Sequence, residues 1–243
     1  MNAKRIVMVA IAAAALMLPG TQAAFAEGPD AAALERIAEL NPGLDPHTVK
    51  VELKQTAART KTDYDDLLAE VLAEAERSAA SADGGSGFTT MKEGDGTVSL
   101  GSAQRKGDLF VSPSSTLFVQ HGHIGVYYST TTIVEAPGNC CLSRSISAGT
   151  RMVGEGTVKQ YVSTSQSNRD AAANYARGNF LGRSYDNAFW NNRSNGDGSL
   201  NCSELVWLAY LRTTSIDLDR NGGWGVYPYD IRDSGHTVTY ASL

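Results

Sequence analysis

The sequence predicts an α+β domain: an antiparallel sheet packed against a helix that begins at a cysteine, preceded by a small helical extension. Three observations carry this. After Asn201-Cys202-Ser203-Glu204, the apolar residues Leu205, Val206, Leu208, Ala209 and Leu211 recur at three- and four-residue spacings, the mark of a helix with one buried face. The runs His121 to Tyr128 and Ile133 to Gly138, split by the polar turn Ser129-Thr130-Thr131-Thr132, read as a β-hairpin. Residues 29 to 81 carry apolar residues at helical spacing, and the small-residue stretch Ser78 to Gly87 reads as a flexible linker behind them.

In chain order, Lys4 and Arg5 precede the apolar run Ile6 to Leu18, a Pro19-Gly20 break and Ala24-Phe25-Ala26. A basic flank, an apolar segment and a small-x-small site form a secretory signal peptide, with cleavage expected after Ala26. The run is short against the ~20 residues of a membrane span, and no later segment is apolar and long enough to cross a bilayer. The mature protein is therefore expected to be secreted or extracytoplasmic. Its formal charge of −5 is unevenly placed. Between Glu27 and Asp83 there are 13 acidic and 6 basic residues, whereas from Gly84 onward 13 of each cancel. No basic patch points to nucleic acid as a partner.

The extension divides into three helices. Ala31 to Leu40 ends before Asn41-Pro42-Gly43, a stop signal. Asp45 then reads as an N-cap with Pro46 in the first turn, opening a helix through Val49, Leu53 and Ala57. A third begins near Thr62, with Asp65 as its capping-box partner, and carries Leu67, Leu68, Val71 and Leu72. His47 falls at a helix start and reads as a surface residue. About 50 residues in short amphipathic helices hardly build a core alone, so they are expected to pack on something.

In the body, Thr97 to Leu100 and Gly107 to Val111 read as strands before the hairpin. Period-two alternation puts His121, His123, Gly125 and Tyr127 on one face. Glu135 on the partner strand is then within reach of one of the histidines. A strand over Gly156 to Val162 follows, then a helix over Asn168 to Ala176 kept slim by its alanines and interrupted by Gly178 and Gly182. Tyr185 to Trp190 and a polar loop, Asn191 to Ser199, lead to Cys202. Trp224 to Ile231 and an edge strand, Thr237 to Tyr240, close the chain.

Cys202 at a helix N-terminus sits where the dipole and free N–H groups favour a thiolate; a small buried cysteine opening a helix is the plain structural alternative. Three cysteines in an exported chain leave at least one thiol outside any intramolecular bridge. Cys140 and Cys141 are adjacent and their redox state stays open, so the simplest arrangement leaves Cys202 free. A thiol nucleophile needs a base, and the base an orienting partner. Only four histidines can serve: His47, His121, His123 and His236. A His-x-His pair with a Cys and a Glu could instead hold zinc, but no CxxC or HExxH spacing supports a metal site. The reverse order, Cys140 or Cys141 with His236, lacks a helix pattern after the cysteines, and nothing around His236 repeats the Gly-Val-Tyr-Tyr strand.

At these residues the chain resembles a known group. The order GDLF, HIGVYY, IVEAPG, GRSYDNAFW and NCSELVWLAYL is similar to the YiiX/YaeF-type permuted papain-like enzymes, thiol hydrolases of the NlpC-type superfamily. The resemblance spans roughly Gly107 to Ile231 and leaves the helical extension outside. It implies a circularly permuted papain-like domain in which the histidine precedes the cysteine. It also implies Cys202 as nucleophile, His123 as general base and then acid, and Glu135 as the group orienting the imidazole. His121 becomes a substrate contact or a polar residue at the cleft rim. Tyr185 lies in a segment matching the family's Tyr-Asp-x-x-Phe region and either lines the cleft or packs beneath it. Pro228 and Asp230 are expected to do structural work. No cofactor is implied.

The resulting expectation is a secreted cysteine amidase or peptidase whose substrate is an amide of the cell envelope, such as a peptidoglycan stem peptide. A thiol acyltransferase or lipid-ester hydrolase is the alternative within the superfamily, and a secreted binding module that keeps only the fold is the alternative outside catalysis. The extension is expected to be a pro-segment folded over the cleft, because a secreted hydrolase benefits from being blocked until export; an accessory module touching the envelope or a partner is the other reading.

Overall fold

The computed structural model describes residues 28–41, 43–83, 96–113, 115–116, 119–120, 122–138, 141–193 and 198–243. The expected signal peptide, the linker residues from Gly84 to Gly87, His121 and Cys140 lie outside them. Among the described residues no helix is long and apolar enough to cross a membrane.

The extension is three helices, α1 (Ala31–Leu40), α2 (Pro46–Thr60) and α3 (Tyr64–Asp83). Asp45 caps α2 as expected, accepting from the His47 and Thr48 N–H groups. The cap of α3 is Asp63 instead of Thr62: its carboxylate accepts from Asp65 N and Asp66 N, which an ionised acid at the positive end of a helix does better than a hydroxyl. The expected linker is also corrected. Ser78 to Asp83 are the last turns of α3, since alanine and serine continue a helix once tertiary contacts hold it. Ser78 is buried, and Arg232 donates to the Ser81 carbonyl.

The body contains β1 (Val98–Ser99), β2 (Leu109–Ser112), β3 (Ser115–Thr116), β4 (Val119–Gln120), β5 (His123–Ser129), β6 (Thr132–Glu135), β7 (Arg144–Ser147), β8 (Met152–Val153) and β9 (Val158–Val162). Then come α4 (Gln166–Asn179), α5 (Cys202–Thr214), α6 (Pro228–Arg232) and β10 (Thr237–Ser242). Six strands form an antiparallel sheet in the order β10-β9-β2-β5-β6-β7. The expected hairpin is β5–β6, with Gly125 opposite Glu135, and the expected edge strand is β10. The edge strand β7 had no signal in its Ser-rich sequence. The α4 helix runs on through Gly178 to Asn179, because one glycine costs only about 1 kcal/mol in a packed helix.

The sheet is covered on both faces. Leu109, Val111, Ile124, Val126 and Val134 face α4 and α5, and Phe110, Tyr127 and Ile133 face a second layer with Leu100, Ala148 and Val153. That two-sided burial is why Leu109 to Ser112 is buried at every position instead of alternating. Ala172, Ala173 and Ala176 let α4 lie close against α5. The α5 helix departs from the expected single stripe: Cys202 to Tyr210 are all buried, because the sheet, α4 and α6 enclose its first turns.

The extension shares its core with the body. Leu34, Ile37, Val49, Leu53, Leu67 and Val71 enclose Ala188 and Trp190 from the segment leading to α5, and Trp224 packs at the margin. The acidic helices thus do find an apolar partner, and that partner is the loop system around the cysteine helix.

Candidate active site

Four residues nominated from sequence fall into two bonded pairs, and the fifth, His121, lies outside the described residues. In the first, His123 Nε2 lies 2.8 Å from Glu135 Oε2. The two side chains are 3% and 0% exposed, so neither is a surface ion pair. Register explains the meeting: Gly125 stands opposite Glu135, and His123 is two residues along the same face. Gly125 is needed between them, since a Cβ there would sit 2.5 Å from the Phe110 ring and 2.9 Å from the Val134 carbonyl.

Glu135 is also the focus of two cations that the sequence did not bring to notice. Arg144, directly opposite it on β7, donates from Nε and Nη2 to Oε1 at 3.0 and 2.8 Å. Arg151 Nε lies 3.1 Å from Oε2. Burial on its own would push this carboxyl up; the His123 hydrogen bond and charge, with Arg151 and Arg144, outweigh it and hold the pKa down at about 2. Glu135 is therefore a carboxylate at any physiological pH. Both its oxygens are engaged, which leaves it poorly disposed to act as a zinc ligand; among the described residues no group of three His, Cys, Asp or Glu side chains forms a metal cage.

In the second pair, the Tyr185 hydroxyl lies 3.7 Å from Cys202 Sγ. Cys202 is a free thiol and 1% exposed, while Tyr185 is half-buried. Cys141 is free as well. Cys202 is the first residue of α5, and Asn201 is its N-cap, accepting from Glu204 N at 2.9 Å.

One segment, Val226 to Tyr229, joins the two pairs. The Ser203 hydroxyl in the first turn of α5 donates to the Val226 carbonyl at 2.6 Å. Three residues on, the Tyr229 ring would meet a Cβ on Gly122 at 3.0 Å and Pro228 would meet it at 3.2 Å, with Gly122 held at φ +73°. So the start of β5, which bears His123, and the start of α5, which bears Cys202, abut the same three or four residues. Pro228 opens α6 and Asp230 accepts from the Tyr227 N–H, the structural work expected of both.

Asn192 went unnoticed in the sequence, inside a loop read only as polar. It is 1% exposed and binds three ways: Nδ2 donates to Val226 O at 2.8 Å and to Asn201 Oδ1 at 3.2 Å, and Oδ1 accepts from Val226 N at 2.8 Å. A buried asparagine with every bond satisfied fixes two chain segments against each other.

Over 213 residues the chain is 36% identical to the uncharacterized protein YycO of Bacillus subtilis (strain 168), a match that covers 86% of each protein. The chain belongs to the YycO family. That match is long enough to include the helical extension or most of it along with the body, so the family unit is larger than the Gly107 to Ile231 region on which the motif resemblance rests. No family model matches the chain. Among solved structures it is similar to the metalloprotein yiiX from Escherichia coli O157:H7, with a TM-score of 0.42 and 17% identity over 57% of this chain and 97% of that one.

Proposed function

We propose that the protein is a thiol hydrolase of the permuted papain-like type, with Cys202 as nucleophile, His123 as base and acid, and Glu135 as the orienting carboxylate. The observation that carries this reading is the buried pair of His123, at the start of β5, with Glu135, at the end of β6, together with the free thiol of Cys202 at the N-terminus of α5, the helix that packs on β5. Commitment of Nε2 to Glu135 assigns proton exchange with the thiol to Nδ1. The thiolate attacks an amide carbonyl, and the Cys202 N–H, which lies in the first turn outside the helical ladder, serves the oxyanion. His123 then protonates the leaving amine, and water releases the acyl group from Cys202. His121, which lies outside the described residues, and Tyr185, whose hydroxyl lies against the sulfur, are the proposed substrate contacts. The neutral body and the expected export favour an amide of the cell envelope as substrate, with an acyl ester as the alternative.

The near-complete burial of Cys202 favours a second reading, a structural cysteine in a binding module. One experiment separates them. Alkylation of Cys202 by iodoacetamide is followed against pH in the wild type and in His123→Ala, and hydrolysis of muropeptide amides and acyl esters is measured in the wild type and in Cys202→Ala. A hydrolase shows fast labelling that depends on His123, and turnover that vanishes with Cys202→Ala. Full turnover in Cys202→Ala would refute the nucleophile assignment, and slow labelling indifferent to His123 would leave the binding module.

A further inference from the structure

The extension meets the segment that adjoins the start of the cysteine helix through a buried carboxylate, among other contacts. Glu74, on α3, is 2% exposed, and its Oε2 accepts from Trp224 N at 2.8 Å and Gly225 N at 3.2 Å. A Cβ on Gly223 would meet this carboxylate, so a side chain there would have to displace it. Burial holds the Glu74 carboxyl above its usual range, against the downward pull of the two N–H groups. The next residue, Val226, is the one clamped by Asn192 and by the Ser203 hydroxyl, and Asn192 also holds the N-cap Asn201. The chain of contacts therefore runs from Glu74 through Trp224 and Gly225 to Val226, then through Asn192 and Ser203 to the first turn of α5.

The second wall of this clamp depends on the extension as well. Trp190, two residues before Asn192, is 1% exposed inside the extension's apolar core, and Arg59 donates to the Asn191 side chain at 2.5 Å. Trp224 is tied by its indole N–H to Glu70 at 2.5 Å. Both segments that grip the N-terminus of the cysteine helix are thus fastened to α2 and α3.

We infer that Glu74 is a positioning residue for Cys202, and that the helical extension is a working part of the enzyme instead of a plug removed to activate it. The inference rests on the hydrolase reading, because it assigns the placement of the Cys202 thiol relative to His123 to the extension. It replaces the pro-segment expected from sequence: removing α3 would take away the acceptor for the Trp224 and Gly225 N–H groups and expose Trp190.

The test uses the full chain and the pH profile of Cys202 alkylation in Glu74→Ala, Glu74→Gln and His123→Ala, with the fold of each checked by circular dichroism. Glutamine keeps one carbonyl oxygen able to accept both N–H groups, so Glu74→Gln should retain the wild-type profile. Glu74→Ala should slow labelling near neutral pH by about tenfold, the effect of one lost net hydrogen bond, and move the midpoint toward that of His123→Ala. A purely structural role would lower the melting temperature and leave the profile alone. Where Glu74→Ala fails to fold, Glu74→Asp, whose carboxylate is one methylene short of the N–H groups, should shift the profile in the same direction. A folded Glu74→Ala or Glu74→Asp with the wild-type profile, in a protein whose profile does respond to His123→Ala, overturns the inference and leaves the hydrolase reading standing. A profile that ignores His123 overturns the hydrolase reading and the inference with it.

Discussion

The most demanding consequence of the site concerns Glu135. Replacing it with glutamine keeps the shape but removes the charge that His123, Arg144 and Arg151 converge on. The magnitude follows from linkage. In the folded protein the carboxyl titrates at about 2, against 4.5 in an open chain, so the ionised form is favoured by the fold by about 3 kcal/mol at neutral pH. Because the folded value is the lower one, this stabilisation is complete above pH ~5 and is lost progressively as pH falls through about 2, below which both states are protonated. A glutamine amide also turns an N–H donor toward one of three donors already in place, and breaking a buried pair costs about 3–5 kcal/mol. The assay is urea unfolding of wild type and Glu135→Gln, followed by near-UV circular dichroism between pH 7 and pH 2.5. The stability gap between the two proteins should open to about 3 kcal/mol at pH 7 and shrink by most of that value at pH 2.5. A gap that stays constant across this range would refute the reasoning, since it would mean that Glu135 carries no depressed carboxyl.

Two further outcomes follow from local geometry. Gly125→Ala drives a methyl group to within 2.5 Å of the Phe110 ring between β2 and β6; urea unfolding should show a loss of about 1–3 kcal/mol, and an unaffected protein would mean that the strands there are not closely packed. Tyr185→Phe removes the hydroxyl 3.7 Å from Cys202 Sγ; turnover should fall by up to about tenfold, the effect of one net hydrogen bond, with no change in melting temperature, and an unchanged rate would assign Tyr185 to packing.

What the sequence revealed was whatever repeats at short range. The spacing of Leu205, Val206, Leu208 and Ala209 marks α5, and alternation through His123, Gly125 and Tyr127 with a short turn marks β5–β6, so the His123–Glu135 pair could be anticipated from two adjacent strands. Asp45 before Pro46 marked a cap for the same reason. The partners that arrive from afar left no such trace. Arg144 meets Glu135 only because β7 pairs with β6, and Ser145, Ile146 and Ser147 around it lack the apolar alternation that announces a strand. Asn192 and Glu74 act through backbone groups of residues 34 and 150 positions away, a link no local period encodes. Ser78 to Asp83 misled because small residues suit a linker and a packed helix equally, and only the docking of α3 decides between them.

The charge arrangement at Glu135 bears on what this carboxylate does for His123. A lone buried carboxylate beside an imidazole would stabilise the imidazolium strongly, at the cost of burying an ion with one partner. Here two guanidiniums share the same carboxylate, so much of its field is already answered before His123 gains a proton. What survives that sharing is direction: Oε2 fixes Nε2 at 2.8 Å and thereby fixes the plane of the ring. The His123 hydrogen bond and charge, with Arg151 and Arg144, keep the carboxylate ionised in a place where burial would otherwise neutralise it. On the proposed reading, orientation more than charge stabilisation would be the service of this geometry, and Glu74 would perform the same service for the helix bearing Cys202. The two catalytic partners would then each be aimed by a buried carboxylate, one within the sheet and one in the extension.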